Sequence, residues 1–204
     1  MKFVLFVEGH TEHKAIPSFL KRWLDPKLSQ PVGIQSIRFN GWPELVKDAP
    51  VKARLYLSRD DVIPVIALLD LYGPTIYPQG KKTPDERYVW AKHYLEKKVG
   101  LRRFFQFFAV HEVEAWLFSD PSVFPSLIRT QIAGLSQYPE RVNGANPPAK
   151  RLNNFYQRQT GRGYKKVVYG KDLFSKLDPD VAYGKCPRLK DILDKMLALA
   201  ESAC

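Results

Sequence analysis

The first half of the chain alternates between short apolar runs and amphipathic stretches. Lys2 to Val7 is a compact run rich in Phe and Val, and it reads as a buried strand. Gly9 follows, and a helix is expected from about Thr11, with Ile16, Phe19, Leu20 and Trp23 on one face. Pro17 lies inside that helix as an expected kink, and Asp25-Pro26 closes it. Gly33 to Phe39 reads as a second strand. Pro43 to about Leu57 reads as a helix interrupted at Pro50. Val62 to Leu69 is the clearest strand, apolar throughout and ending at Asp70; such a strand between helices suits a parallel sheet covered on both faces. Leu71 to Thr83 holds Gly73, Pro74, Pro78 and Gly80, and reads as a loop.

Pro84 to Val99 predicts a helix with Asp85 and Glu86 in its first turn, Lys97 and Lys98 in its last, and Gly100 as its C-cap. Arg103 to Val110 predicts a fourth strand, followed by His111-Glu112-Val113-Glu114-Ala115-Trp116-Leu117-Phe118. The resulting β-α-β-α-β-α-β order argues for an α/β fold with a doubly wound, mainly parallel sheet flanked by helices. Pro187 to Ala200 closes the chain as an amphipathic helix presenting Leu189, Ile192, Leu193, Met196 and Leu197. The expected organisation is an α/β core over 1–120 and a basic helical extension over 121–204 packed on it.

Charge sharpens this division. The net charge is +11 over 204 residues. Residues 1–140 hold 19 basic against 15 acidic groups, whereas residues 141–204 hold 13 against 6. Within 141–171 there are eight basic residues and no acidic one. That stretch starts loop-like at Asn143, Gly144, Asn146, Pro147 and Pro148. Lys150, Arg151, Arg158, Arg162, Lys165, Lys166 and Lys171 are interleaved there with Phe155, Tyr156, Tyr164 and Tyr169. Phosphate contact plus base stacking on single-stranded or distorted nucleic acid is the expectation for such a mixture. The two cysteines, Cys186 and Cys204, give no zinc framework and suit a reducing cytosol. An apolar start that reaches Glu8 so early is not expected to be a signal peptide, and no run is long enough to span a membrane.

The carboxylates carry the candidate chemistry. Glu8 closes the first strand, Gly9 permits a sharp turn, and His10, Glu12 and His13 follow. Asp70 closes the third strand. Parallel strands put such ends on one edge, where ligands bind in open α/β sheets. Two hard carboxylates on one edge suit magnesium. Glu112 and Glu114 add a further pair. If the fourth strand continues through them, they share one face; if a helix has begun, they diverge by about 200° and at most one joins the site. No phosphate-binding Gly-x-x-x-x-Gly-Lys-Ser/Thr loop is present, so any nucleotide-driven step would belong to a partner.

Several of these motifs carry a resemblance. Val7-Glu8-Gly9-His10-Thr11-Glu12, Leu69-Asp70-Leu71-Tyr72-Gly73 and the His111-to-Phe118 segment resemble the Toprim-like proteins of domain-of-unknown-function family 4276. Asn146-Pro147-Pro148-Ala149-Lys150-Arg151-Leu152 and Cys186-Pro187-Arg188 extend the match over nearly the whole chain. The resemblance implies a Toprim-like fold and a Mg2+ (or Mn2+)-dependent nuclease. Glu8 would be its general acid/base and Asp70 its metal ligand. The Asp-x-Asp pair of Toprim enzymes is Asp70-Leu71-Tyr72 here, and a phenol is a poor magnesium ligand near neutral pH. Glu112 or Glu114 could supply the lost carboxylate, with His10, Glu12 and His111 nearby as secondary residues. The resemblance further implies a bacterial defence effector, cytoplasmic, acting on DNA or RNA with a separate SMC/ABC-type ATPase. The alternative is a degenerate module that binds nucleic acid or a protein without cutting.

Overall fold

The computed structural model describes residues 1–142 and 146–203. Asn143 and Gly144, expected in a loop, and Cys204 lie outside the described residues. Among the described residues four strands form one all-parallel sheet in the order β2-β1-β3-β4: β1 (Lys2–Val7), β2 (Gly33–Arg38), β3 (Val62–Asp70) and β4 (Phe104–Ala109). All nine residues of β3 are buried, as its unbroken apolar run requires. Pro64 has no amide hydrogen to give the ladder. The β1/β3 register shifts there, with Lys2 opposite Val62 but Val4 opposite Val65.

The crossovers are α1 (His10–Leu24), α2 (Trp42–Leu57) and α3 (Pro84–Val99). The chain steps outward from β1 to β2, then back across β1 to β3 and on to β4. Right-handed connections therefore place α1 on one face and α2 and α3 on the other. The side chains follow: Phe3, Leu5 and Val7 of β1 pack with Ile16, Phe19 and Leu20 of α1, while Val4 and Phe6 pack with Leu45 of α2 and Leu95 of α3.

The expected interruption of α2 at Pro50 does not occur, and α1 also runs unbroken through Pro17. Each proline removes one intrahelical bond and costs about 3 kcal/mol. Buried stripes outweigh this cost: Ile16, Phe19, Leu20 and Trp23 on α1, and Leu45, Val46, Ala49 and Ala53 on α2. For α3 the expected ends are observed. Thr83 and Glu86 form a reciprocal capping box, and Gly100 terminates the helix at φ 67°.

Beyond β4 lie α4 (Glu114–Leu117), α5 (Ser126–Ile132), α6 (Pro148–Thr160), α7 (Lys166–Lys176), α8 (Pro179–Lys185) and α9 (Pro187–Glu201). They share the core of the α1 face. Phe19 of α1, Trp116 of α4 and Phe174 of α7 meet with ring centroids 5.5–6.5 Å apart. The Arg22 guanidinium donates to the carbonyls of Phe174 and Leu177 at 2.6 and 2.8 Å, pinning the C-terminal end of α7 to α1. At the amino ends of the strands, Lys2 pairs with Asp61 at 3.0 Å and Arg103 donates to the carbonyls of Val62 and Leu57. Among the described residues no helix is long and apolar enough to cross a membrane.

Candidate functional site

The strand order reverses between β1 and β3, because β1 connects to one side and β3 continues on the other. At such a switch point the loops diverge and leave a crevice at the carboxyl edge. Glu8 and Asp70 stand there. The Asp70 amide donates to Glu8 Oε1 at 3.1 Å, so the two strand ends are joined by the first acid itself. Gly9 lets the chain turn into α1 at close quarters; a Cβ there would collide with the Glu12 carboxylate. Glu12 is buried in the first turn of α1, while His10 is exposed.

The segment after β4 brings the next two acids. Asp70 Oδ1 accepts the Val113 amide at 3.0 Å, which draws this segment across the end of β3. The helix α4 starts at Glu114, so Glu112 precedes it and the divergence expected of two helical residues does not apply. Both carboxylates reach the same point. That point is held by Lys166, the first residue of α7. Its Nζ lies 3.2 Å from Glu114 Oε2 and 3.9 Å from both Asp70 Oδ2 and Glu112 Oε1. Glu112 Oε2 accepts the Ala149 amide at 2.7 Å, in the first turn of α6. Glu114 is fully buried, and neither of its oxygens has a hydrogen-bond partner; the Lys166 contact is an ion pair outside hydrogen-bond geometry.

The electrostatics follow from crowding acids in a dry place. Burial pushes Glu8 up to about 7, against hydrogen bonds from the amides of Asp70 and Trp42, with the Glu12 charge adding to the rise. Burial likewise lifts Glu114 to about 7 and Asp70 well above its ordinary value, partly offset by Lys166. For Lys166 burial acts downward, but the facing Glu114, Asp70 and Glu112 outweigh it and hold the ammonium above its ordinary value.

Hard oxygen donors facing one point, Glu114 Oε2 among them without a hydrogen bond, match the needs of a magnesium ion in kind. As they stand, no three His, Cys, Asp or Glu side chains among the described residues close to coordination distance. The shared point is filled by the ammonium instead.

Other expected site residues lie elsewhere. Tyr72 is exposed, and its amide donates to the His111 carbonyl at 3.0 Å. His111 faces a separate cleft of about 620 Å³ shared with Arg141, Glu140, Lys185 and Arg188. Lys150, Arg158, Arg162, Lys165 and Lys171 are exposed, and Arg151 is half-buried on α6. Lys166, expected among these surface cations, is instead turned inward. The interleaved tyrosines are largely occupied with one another. Tyr156 stacks on Tyr169 at 5.2 Å, and Tyr164 is buried beside Gly170. Base stacking on them is therefore restricted, and the exposed part of the extension is mainly cationic. The inward role of Lys166 had no local sequence signal. It lies in a run of basic residues, 96 positions beyond Asp70.

An α/β fold with a four-stranded parallel sheet and an acid-lined carboxyl edge defines the class. The chain belongs to the family described as domain of unknown function (DUF4276), whose model matches residues 7–197. Among solved structures it is similar to the C-terminal region of the Burkholderia pseudomallei OLD protein, with 17% identity and a TM-score of 0.52 over 100% of this chain and 98% of that one. It also matches the C-terminal region of the Xanthomonas campestris pv. campestris OLD protein, with 15% identity and a TM-score of 0.45 over 95% and 96% of the two chains. The first of these likenesses is one of fold. No curated protein matches the sequence.

Proposed function

We propose that the chain is a Toprim-type nuclease that hydrolyses phosphodiesters with a divalent ion, Mg2+ or Mn2+. The observation that carries this reading is the meeting of the Asp70, Glu112 and Glu114 carboxylates about one point beside Glu8. Asp70, Glu112 and Glu114 would hold the ion, Glu112 and Glu114 replacing the carboxylate that Tyr72 does not supply. When bound, the ion neutralises charge on the phosphate oxygens and makes water a better nucleophile. Glu8 takes up and returns the proton, a role suited to a carboxyl that titrates near neutrality. The exposed cations of α6 and α7 draw the phosphate backbone toward the edge. A cytoplasmic defence role beside an SMC/ABC-type ATPase is consistent with the Toprim resemblance and with a chain that has no nucleotide-binding loop of its own.

The second reading, a module that binds nucleic acid or a protein without cutting, is favoured by the exposed Tyr72. Cleavage assays on single- and double-stranded DNA and RNA with Mg2+ or Mn2+ separate the two. Glu8→Gln and Asp70→Asn are expected to lose cleavage about 100-fold or more while melting near the wild-type temperature. Full activity in either purified variant would overturn the assignment.

A further inference from the structure

We propose that the Lys166 ammonium is a built-in cation that occupies the divalent-ion position in the metal-free protein and is expelled when the ion enters. This rests on the metal reading above and goes beyond it, because it concerns what keeps the acids together before any ion arrives.

Hydrogen bonds alone do not neutralise the acids. Glu8, Glu12, Asp70, Glu112 and Glu114 crowd one edge, where burial first and the neighbouring acids second disfavour negative charge on Glu8, Asp70 and Glu114. Lys166 is the cation set against them, reaching three of their carboxylates at once. Its helix does not favour it there. The first turn of α7 contains no acidic residue, and Lys165 precedes it without a side-chain cap. A cation at a helix N-terminus faces the positive end of the dipole, which disfavours it. The carboxylates must offset that.

The hold is also loose in kind. An ammonium has three directed donors, yet two of its three contacts here are 3.9 Å long and the third lies outside hydrogen-bond geometry. Two separate hydrogen bonds brace the acids without Lys166, from Val113 to Asp70 and from Ala149 to Glu112. The helix itself is fixed at its middle and at its C-terminal end. Gly170 packs so closely on Thr11 that a Cβ would clash, and Arg22 clamps the far end. An exchange therefore needs a swing of the Lys166 side chain and a small inward movement of the carboxylates, with no shift of the helix. That side chain is 37% exposed, so it has a route to water that Glu114, at 0%, does not.

The test uses the full chain and Mn2+ as the probe. Lysine acylation followed by mass spectrometry reads the accessibility of Lys166 in the wild type with and without saturating Mn2+. Calorimetric titration compares Mn2+ binding by the wild type, Lys166→Met and Lys166→Arg. Expulsion predicts that Mn2+ raises Lys166 labelling several-fold, and that Lys166→Met binds Mn2+ about tenfold tighter or better while melting lower in the absence of metal. Lys166→Arg, which keeps the charge, is expected to stay near the wild-type affinity. Unchanged or reduced labelling while Mn2+ binds overturns the exchange and leaves the nuclease reading standing. No Mn2+ binding to the wild type or to Lys166→Met overturns both. The labelling arm needs no variant, so it decides the matter even if Lys166→Met fails to fold.

Discussion

The Glu112 carboxylate accepts the Ala149 amide at 2.7 Å, across 37 positions of sequence. The bond ties the segment after β4 to the first turn of α6, where amides lack intrahelical partners and the dipole favours an anion. One acid thus caps a helix with one oxygen and faces Lys166 with the other.

Glu112→Ala should therefore cost more than the acid's charge alone suggests. It strands a part-buried amide and removes the cap, for an expected loss of about 1–2 kcal/mol. Glu112→Gln keeps an acceptor and should lose less. Urea unfolding of the two variants checks this, and equal midpoints would mean that the tie carries no stability.

Gly170→Ala sets two effects against each other. Alanine gains up to about 1 kcal/mol of helix propensity over glycine. Its methyl, however, would sit 2.8 Å from Thr11 Cγ2 and 3.2 Å from Tyr164 Oη. Overpacking of this kind costs about 1–3 kcal/mol, so a lower melting temperature is expected. A higher one would show that α1 and α7 separate freely.

Stability should fall as pH rises through neutrality. Glu8 and Glu114 titrate near 7 in the fold against 4.5 ordinarily, and Asp70 is also raised. Between those values the native state keeps protons that the unfolded chain has released. The stability they confer is full below about 4.5 and is lost as pH passes about 7. Glu12, Glu112 and Lys166 face the same groups, and Lys166 opposes the trend without cancelling it. The metal-free denaturant midpoint should decline from pH 5 to 8, and saturating Mg2+ should flatten or reverse the slope. A flat metal-free profile would contradict the raised values.

The exposed cations make a separable prediction. Alanine at Arg158, Arg162 and Lys171 together should weaken nucleic-acid binding uniformly across sequences. The slope of log affinity against log salt should drop by about 0.7–0.9 for each phosphate that these side chains no longer neutralise. Fluorescence anisotropy with a single-stranded oligonucleotide at several salt concentrations measures it. An unchanged slope would place the nucleic acid on another face.

Much of this architecture is legible in the sequence, for reasons that are local. The β3 run and the Thr83–Gly100 helix announce themselves because burial on both faces and a capping box leave direct marks in composition. Glu8 and Asp70 are readable because strand ends in a βα pattern share an edge. The prolines mislead because tertiary burial, not propensity, decides whether α1 and α2 continue. Lys166 is illegible because a cation facing three acids is a property of the packing of α7 on α1. Its own neighbourhood reads only as a basic surface.

Parallel strands also give the sheet two unlike rims. Every acid in the cluster stands on, or is drawn to, the carboxyl rim, while the amino rim carries the Lys2–Asp61 pair and the Arg103 hydrogen bonds. Errors on the two rims should thus have different signatures. Substitution at Asp61 or Arg103 should touch stability alone, whereas substitution at Asp70 or Glu112 also changes what the protein can hold. A mutational map of the chain should divide along the strand direction rather than by distance in sequence.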